Sequence, residues 1–337
     1  MRAGVSRILL VTNMYPTAED PAFGAFVKSH TDALIDAGLD VEVSFIRGRE
    51  NVLAYATAIP RLRRIAHRGK FDLVHAHYGL AGFAAGFQRL PLVVTFWGDD
   101  LLGTPAQSGG ITTKSRIARS LSNIAARRAH GLICVSSEMR LLLANQSDRE
   151  RAHVIPGGID TSQFNPGDRK SARQRLGLPS DGKVILFPNT PTERRKRLDL
   201  AMSAVELLNA KIPDARLRVV TGVRQEDMPS FYRAADCLLL TSDWEGSPTV
   251  VKEALCCDLP VVAVNAGDAW EWMRLAPGCE PVDRSAESIS EGLFHVLHNG
   301  KHIDGTTVRQ RADWRQIVKR VLTVYDEALA ATRQASR

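Results

Sequence analysis

The sequence predicts an α/β fold made of two tandem doubly wound domains that face each other across a cleft. Short β-rich runs alternate with amphipathic helical stretches along most of the chain, which is typical of parallel sheets covered by helices on both faces. A segment rich in glycine, proline and charge, residues 157–182, separates two such series and is interpreted as a linker. The length of 337 residues is enough for two domains of ordinary size.

The first predicted domain comprises residues 1–160. A strand candidate is a short run of branched or aromatic apolar residues that ends in turn-forming residues. Six such runs are Ile8–Asn13, Val41–Ile46, Leu73–His77, Leu92–Phe96, Leu132–Val135 and His153–Ile155. The helical candidates between them are Phe23–Ala37, Ala54–Arg68, Ala81–Arg89, Thr113–Ala129 and Ser137–Ala144.

The second predicted domain comprises residues 161–307. Its strand candidates are Val184–Phe187, Leu217–Thr221, Cys237–Thr241 and Pro260–Val264, and its helical candidates are Leu198–Asn209, Met228–Ala235, Pro248–Cys257 and Ala286–His298. In residues 308–337, the stretch from Val308 to Ala331 predicts one long amphipathic helix. Ligands of doubly wound sheets bind beyond the carboxyl ends of the strands, so we expect function in the loops that follow the strands.

Composition indicates a soluble globular chain. Apolar residues make up 44% and charged residues 24% of the sequence, and no apolar run approaches 18 residues. Five cysteines without paired spacing favour free thiols, and the first residues lack a signal-peptide pattern, so a cytoplasmic location is expected.

The net charge of +7 lies mostly in the first 160 residues. It is compatible with nucleic acid, but it fits an anionic substrate or an anionic membrane surface as well, and no nucleic-acid partner is predicted. The helix Ala54–Arg68 carries four arginines beside apolar residues. It is either an ordinary surface helix or a contact with anionic lipid at the inner face of the membrane.

The most informative segment is residues 241–262, T-S-D-W-E-G-S-P-T-V-V-K-E-A-L-C-C-D-L-P-V-V. Ser247 is a favourable helix N-cap and Pro248 suits the first helical position. The backbone N–H groups around Thr249 and Val250 would then lie at a helix start. Free N–H donors and the positive end of the helix dipole make such a start suitable for a phosphate.

Two carboxylates flank this predicted phosphate site. Glu253 lies about five residues into the helix, roughly 7 Å along its axis, which is about the span from a diphosphate to the hydroxyls of its ribose. Glu245 forms a turn with Gly246 before the helix and could reach the other side of the phosphates. The alternative interpretation is one solvated and one buried, hydrogen-bonded glutamate on an ordinary α/β helix.

Three other loops after strands carry candidate residues. Gly24 opens a helix, either at a point where a backbone could approach a ligand closely or as part of a plain turn between strand and helix. Asp100 ends the segment V-T-F-W-G-D-D after another strand. Arg195 and Lys196 belong to a cationic run at a helix start, where the dipole disfavours cations, so an anionic ligand explains them better than stability does.

Other kinds of site are weakly supported. His75 and His77 lie on one face of a strand, which suits a metal, but no carboxylate or cysteine lies nearby at ligand spacing. They are therefore interpreted as lining of the cleft or as core, and no metal is predicted. The sequence has no Walker A motif, no G-x-S-x-G and no G-x-G-x-x-G after the first strand, which disfavours nucleotide hydrolases, serine hydrolases and dinucleotide oxidoreductases.

The pair Glu245 and Glu253 resembles the Glu-x7-Glu motif of the retaining glycosyltransferases of the GT-B fold, family 4 in particular. The resemblance covers nearly the whole chain and is most specific from residue 154 to residue 270. It implies two Rossmann-like domains across a cleft, with the acceptor on the first and the nucleotide sugar on the second. The final helix is then expected to return to the first domain.

The resemblance also implies roles for the candidate residues. Glu253 would hold the ribose, Glu245 would contact the donor sugar, and the backbone from Gly246 to Val250 would hold the diphosphate. Lys196 would neutralise the leaving diphosphate, with Arg194 or Arg195 substituting for the family's early arginine. Asp100 would orient the acceptor or stabilise the developing positive charge, and no cofactor beyond the donor would be needed.

The sequence departs from the family pattern at three places. Trp97 stands where the family commonly has histidine, and Asn189-Thr190 replaces an early arginine of the phosphate loop. Gly24-Ala25 replaces the usual double glycine. These departures put the sugar accepted, and activity itself, in question.

The predicted function is transfer of a sugar, with retention, from a UDP- or GDP-linked donor to a glycan or lipid-linked acceptor. Polysaccharide or lipid-linked glycan assembly is the expected setting. Two alternatives stay open. One is a sugar-nucleotide epimerase or phosphorylase on the same fold, and the other is a non-catalytic nucleotide-sugar-binding protein.

Overall fold

The computed structural model describes residues 4–18, 20, 23–48, 51–103, 111–188, 193–300 and 303–335. The chain forms two compact units. The first unit runs to Gly157 and resumes at Trp314, and the second runs from Gly158 to Asp313. The predicted boundaries were residues 160 and 307.

The first unit is a six-stranded parallel sheet covered by helices. Its elements are β1 (Arg7–Thr12), α1 (Ala25–Asp36), β2 (Asp40–Phe45), α2 (Leu53–Arg68), β3 (Leu73–His77), α3 (Gly79–Ala85), β4 (Leu92–Phe96), α4 (Asp99–Leu102), α5 (Thr113–Arg128), β5 (Gly131–Cys134), α6 (Ser137–Leu141), α7 (Gln146–Arg151) and β6 (Ala152–Val154). The strand order β2-β1-β3-β4-β5-β6 reverses direction between β1 and β3, which marks the switch point of a doubly wound sheet.

The second unit repeats this topology with five strands. Its elements are α8 (Arg169–Arg175), β7 (Lys183–Pro188), a 3-10 turn at Arg194–Lys196, α9 (Leu198–Asn209), β8 (Ala215–Val220), α10 (Met228–Ala234), β9 (Cys237–Leu240), α11 (Thr249–Cys256), β10 (Val261–Val264), α12 (Ala269–Met273), β11 (Glu280–Val282), α13 (Ala286–Asn299) and α14 (Thr306–Ala312). The strand order β11-β10-β9-β7-β8 places the switch point between β7 and β9. Two doubly wound α/β units confirm the predicted fold class.

The last helix, α15 (Trp314–Ala335), belongs to the first unit. Its apolar stripe, which includes Ile317, Val321, Val324 and Ala328, packs on one face of the sheet together with α1. Strand β1 serves both faces, because Ile8 and Leu10 join that cluster whereas Leu9 and Val11 join the core under α2 and α3. Burial on both faces explains why β1 reads as an unbroken apolar run.

The predicted tail helix is wrong in one respect, because two helices occupy the stretch from Val308 to Ala331. The chain is extended at Asp313, with φ −53° and ψ 130°. At that point Asp313 forms a bridge with Ile159, and the Thr161 hydroxyl donates to its carboxylate. These tertiary contacts override a helical pattern that continues through the break.

The predicted linker, residues 157–182, is also wrong in part, because it contains α8. Within α8 the side chains of Ala172 and Arg173 are buried. Strand β11 and the short helices α4, α7 and α12 were not predicted either, since runs of three to six residues carry little periodic signal. No helix among the described residues is both long enough and apolar enough to span a membrane.

Candidate active site

The carboxyl ends of β7 and β9 bring Glu245 together with two cations. The Lys196 ammonium donates to Oε1 of Glu245 at 2.5 Å, and the Arg195 guanidinium donates to Oε2 at 2.9 Å. The Ser242 hydroxyl donates to Oε1 at 2.7 Å. Arg195 and Lys196 follow β7 and Glu245 follows β9, so the cluster lies at the switch point, where doubly wound sheets bind their ligands.

The cluster controls the ionisation of Glu245, whose side chain is buried. Burial by itself would raise the pKa of this carboxyl group, but Lys196 and Arg195 outweigh it and lower the pKa to about 2. Glu245 is therefore ionised throughout the neutral range, and it holds the Lys196 ammonium in a fixed position.

The start of α11 differs from the prediction. Pro248 is the residue before the helix and Thr249 is the first helical residue, so Ser247 is not the N-cap. The Ser247 hydroxyl instead donates to Asp268 at 2.8 Å and accepts from the Lys252 ammonium at 2.9 Å. The backbone N–H groups of Thr249 and Val250 have no hydrogen-bond acceptor within the described part of the chain, as expected for a first helical turn.

Lys252 and Asp268 are two site residues that sequence reasoning missed. Lys252 is fully buried, and burial lowers the pKa of its ammonium. Asp268 follows β10 and also accepts from the indole N–H of Trp272 at 2.9 Å. A lysine in an apolar helix is normally interpreted as a solvated residue. Only the position of Asp268, in the loop after β10, shows that Lys252 is a buried cation.

Gly267 allows the loop after β10 to lie against the turn at Glu245 and Gly246. Its φ of +59° is left-handed, and a Cβ at this position would lie 2.9 Å from the carbonyl oxygen of Glu245 and 3.0 Å from that of Gly246. A side chain here would push on the turn that positions Glu245.

Glu253 lies inside the second unit rather than at its surface. Its carboxylate accepts from the amide of Gln225 and from the hydroxyl of Tyr232, each at 2.6 Å. Burial raises its pKa, and these two donors work against that effect. Both donors were missed from the sequence. Each oxygen of Glu253 accepts one of these bonds, so each keeps a lone pair that can accept from a ligand hydroxyl.

In the first unit, Asp100 is fully buried and binds backbone rather than facing an open site. Oδ1 accepts from the Gly98 N–H at 2.9 Å, and Oδ2 accepts from the N–H groups of Gly79 and Trp97 at 3.2 and 3.3 Å. Burial raises the pKa of Asp100 to about 6, and the three N–H groups limit that rise. In this geometry Asp100 joins the start of α3 to the loop between β4 and α4.

Trp97 is fixed by aromatic neighbours. Its indole N–H donates to Nδ1 of His77 at 3.0 Å. The centroid of its ring lies 4.5 Å from that of Phe26. The ring also stacks on His77, with 5.7 Å between the two centroids. Trp97, which replaces the family's histidine, is thus a half-buried ring of fixed orientation in the loop that follows β4.

His30, on α1, joins His75 and His77 in a buried cluster. Sequence reasoning missed His30 because it is far from the other two in the chain. One ring nitrogen from each lies within 4.8 Å of the others. Both ring nitrogens of His75 are already bonded, to the Tyr325 hydroxyl at 2.7 Å and the Thr95 hydroxyl at 2.8 Å. Burial lowers the pKa of all three histidines. A metal would have to displace a bond of His75, so these contacts favour the core interpretation.

Gly24 is approached by the protein's own backbone. It precedes α1 with a left-handed φ of 69°, and a Cβ there would lie 2.5 Å from the backbone nitrogen of Tyr15. The close approach expected of a ligand at this glycine is therefore made by the loop after β1.

Replacing Gly24 by alanine should destabilise the protein more than the same change at Gly38. Both glycines flank α1 and have positive φ, but nothing lies within 4 Å of a Cβ at Gly38. Gly38→Ala should cost about 1 kcal/mol for the backbone conformation alone, whereas Gly24→Ala should cost about 3 kcal/mol because it also overlaps backbone atoms. Thermal unfolding of the two variants measures the difference, and equal shifts would contradict this account of the loop.

Two family models match the chain. The model described as Glycosyltransferase Family 4 matches residues 7–163, and the model described as Glycosyl transferases group 1 matches residues 217–321. The chain belongs to the GT-B glycosyltransferases that these two models describe. The glycosyltransferase is 29% identical to D-inositol 3-phosphate glycosyltransferase 1 of Catenulispora acidiphila, over 79% of this chain and 74% of that protein. It is 27% identical to the D-inositol 3-phosphate glycosyltransferase of Acidothermus cellulolyticus, over 85% of this chain and 74% of that protein.

Solved structures support the fold. A sucrose-phosphate synthase from Thermosynechococcus elongatus has a TM-score of 0.79 and 16% identity, over 97% of this chain and 100% of that one. Anabaena Alr3699/HepE, solved in complex with UDP and glucose, has a TM-score of 0.66 and 18% identity, over 94% of this chain and 98% of that one. At these identities the likeness concerns the fold of the glycosyltransferase alone.

The structure thus brings together some of the predicted site residues and separates others. Arg195, Lys196 and Glu245 form one cluster beside β7 and β9, in the same unit as the start of α11 and Glu253. Gly24 and Asp100 belong to the first unit, where each contacts backbone of its own unit. Asn189 and Thr190, which replace the family's arginine, lie outside the described residues.

Proposed function

We propose that this glycosyltransferase takes a sugar from a nucleotide diphosphate sugar bound to its second unit and transfers it with retention of the anomeric configuration. The observation that carries the proposal is the cluster of Lys196, Arg195 and Glu245 at the switch point of that unit. A buried carboxylate that holds two cations in place provides an electrostatic site prepared in advance for a diphosphate.

The diphosphate would bind the Lys196 and Arg195 side chains and the free N–H groups at the start of α11. Among the described residues the Lys196 ammonium makes one hydrogen bond, to Glu245, and an ammonium carries three N–H donors. The remaining donors can bind phosphate oxygens while Glu245 stays in contact. The N–H groups of Thr249 and Val250 add the positive end of the helix dipole.

The transfer step can then proceed with little side-chain chemistry. The bond between the anomeric carbon and the phosphate oxygen breaks, and the acceptor oxygen forms its bond on the same face of the sugar. The acceptor's proton passes to the leaving phosphate oxygen, so no side chain has to act as nucleophile or base. The cationic cluster stabilises the charge that develops on the diphosphate.

The acceptor is proposed to be a hydroxyl of a glycan, a lipid-linked glycan or a polyol phosphate. The last class is included because the curated relatives above are named as D-inositol 3-phosphate glycosyltransferases. Trp97 supports a sugar or polyol ring as acceptor, since an oriented indole can pack on the apolar face of such a ring.

A thermal-shift panel of UDP-, GDP- and ADP-sugars tests donor binding. A ligand at 100 times its dissociation constant should stabilise the protein by about 2.7 kcal/mol. We expect the UDP sugars to respond first, because a solved GT-B neighbour holds UDP and glucose. Conversion of the donor without an acceptor, or only with inorganic phosphate, would instead favour an epimerase or a phosphorylase. Donor binding with no turnover for any acceptor would favour a binding protein.

Glu253→Gln tests the proposed ribose contact. The substitution keeps the shape of the side chain but replaces one acceptor oxygen with an NH₂ group. It should weaken donor binding about tenfold or more, because a charge-assisted hydrogen bond to a ribose hydroxyl is lost. Tyr232→Phe is the matched control: it removes one donor to Glu253 and leaves the carboxylate, so donor affinity should change little. Equal weakening in both variants would mean that Glu253 acts only through packing.

A further inference from the structure

A concave site lies in the first unit, away from Gly24, Trp97 and Asp100 of the same unit. A pocket of about 590 Å³ is lined by the C-terminal turns of α2, the residues that follow it, and the connection between α3 and β4. This volume is in the range of small-molecule sites. Both segments lead directly into the amino ends of β3 and β4, so the pocket lies at the edge of the sheet opposite to the loops of Trp97 and Gly24.

The lining of this pocket is strongly cationic. Four permanently charged side chains and one imidazole line it: Arg63, Arg64, His67, Lys70 and Arg89. No acidic residue is among the residues that line it. Residues 51–71 contain five lysines and arginines and no aspartate or glutamate. The pocket therefore has a concentrated positive potential without an internal counter-charge.

Within the described ranges, the permanently charged side chains of the pocket are not paired with other protein groups. Among the described residues, Arg63, Arg64, Lys70 and Arg89 form no ion pair and no hydrogen bond. Arg61, on the same helix, behaves differently and donates to the carbonyl oxygen of Phe45 at 2.9 Å. The neighbouring acid, Asp72, accepts from the backbone of Ser6 and Arg7 at 2.7 and 2.9 Å instead.

Helix-end electrostatics account for only part of this arrangement. Cations near the C-terminus of a helix are favoured by about 0.3–1 kcal/mol each, which suits Arg64 and Lys70 on either side of the last turn of α2. Arg89 comes from a different segment, the connection between α3 and β4, so it adds to the positive charge of the pocket from outside α2. Lys70 has a φ of 52°, a left-handed conformation usually taken by glycine or asparagine. A lysine at this position keeps one more cation at the pocket despite the backbone cost.

We propose that this pocket binds a ligand with at least two neighbouring phosphate groups. An arginine can bind a phosphate through two parallel N–H donors, and four cations match the charge of two phosphates. Phe71 and Ala66, which also line the pocket, are buried apolar side chains, and they can accommodate the carbon skeleton of such a ligand. Such a group can come from a soluble polyphosphorylated molecule or from the clustered head groups of an anionic bilayer.

Calorimetric titration with inorganic tripolyphosphate tests the pocket directly. In Arg64→Ser/Arg89→Ser, the affinity of one class of site should fall about tenfold or more. The matched control, Lys114→Ser/Arg116→Ser, removes two exposed cations from α5 of the same unit and should bind as the unchanged protein does. Both pairs are on the surface, and unchanged thermal midpoints would verify folding.

A third variant distinguishes tripolyphosphate binding at the donor site from binding at the pocket. If tripolyphosphate also binds the Lys196 cluster, Lys196→Ala removes that class of site and leaves the pocket class. Equal affinity of the pocket variant and its control would overturn the proposal, whatever the result for Lys196. Failure of donor binding would in turn leave the pocket result intact.

Flotation with vesicles identifies the source of the phosphates. Binding to phosphatidylcholine vesicles that contain phosphatidylglycerol, lost in Arg64→Ser/Arg89→Ser and competed by tripolyphosphate, would assign the pocket to lipid head groups. It would also support the membrane contact expected of Ala54–Arg68. Tripolyphosphate binding without flotation would assign the pocket to a soluble ligand.

Discussion

Replacing Lys196 by alanine is expected to reduce the rate of sugar transfer by about 10²–10³-fold. Removal of one preorganised donor from a site of developing negative charge has an effect of this size. The structure adds a second reason: without the 2.5 Å contact from Lys196, Arg195 is the one cation among the described residues that still pairs with Glu245. The pKa of Glu245, about 2 in the intact cluster, should then rise.

The measurement is the initial rate of nucleoside diphosphate release with the donor found in the thermal-shift panel. Lys170→Ala is the matched control, because Lys170 is an exposed lysine of the same unit. It should leave the rate unchanged. A Lys196→Ala rate within about threefold of the unchanged protein would exclude Lys196 from the stabilisation of the leaving group.

The same cluster predicts a pH dependence of stability. The folded-state pKa of Glu245 is depressed, so its contribution to stability is fully present above the unfolded value of 4.5 and is lost as the pH falls toward about 2. The contribution is on the order of 3 kcal/mol for a buried group with this shift. In Lys196→Ala the loss between pH 4.5 and 2 should be smaller, and urea unfolding at several pH values measures it.

Replacing Asp236 by alanine is expected to destabilise the second unit by about 3–5 kcal/mol, the cost of leaving a buried charge without its partner. Asp236 accepts from the Arg173 guanidinium at 2.6 Å and from the backbone N–H of Val184 at 2.7 Å. The side chains of Arg173 and Asp236 are only 5% and 6% exposed. Because α8 carries Arg173, this pair fixes the segment that the sequence had indicated to be a linker.

The shift of the urea midpoint measures this effect, with Asp199→Ala as the control. Asp199 pairs with Arg197 at 2.9 Å, but its side chain is 68% exposed, and such pairs contribute about 0–1 kcal/mol. The pair of Asp236 lies at the amino ends of β7 and β9, whereas Lys196 and Glu245 lie beyond their carboxyl ends. The folded fraction of Asp236→Ala should therefore keep the donor affinity. Equal shifts of the urea midpoint in Asp236→Ala and Asp199→Ala would contradict the buried-pair account.

Long periodic segments were well predicted from the sequence. The strands Leu73–His77 and Leu92–Phe96 and the helix Leu198–Asn209 have the predicted limits, because buried parallel strands and amphipathic helices leave clear patterns in a chain. The start of α11 was placed within one residue, but Ser247 was given the wrong role. A serine before a helix favours an N-cap. Only the tertiary structure shows that the Ser247 hydroxyl instead donates to Asp268 and accepts from Lys252.

The candidate site was predicted to the level of residue groups but not of contacts. The spacing of Glu245 and Glu253 and the position of Lys196 after a strand indicated which loops carry function. Several partners of these residues come from distant parts of the chain: Gln225 and Tyr232 for Glu253, and the Gly79 N–H for Asp100. No local pattern predicts such partners, because they depend on how separate loops approach one another.

The sequence by itself determined two doubly wound α/β domains, the family and the loops that hold the candidate site, since these follow from periodicity and short motifs. The tertiary structure alone decided that Lys196 and Arg195 converge on Glu245, that Lys252 is a buried cation and that the tail is divided at Asp313. It also decided that the cations around Arg64 and Arg89 form one pocket without counter-charges. Electrostatic energies depend on distance and burial, and folding sets both between residues that are far apart in the chain.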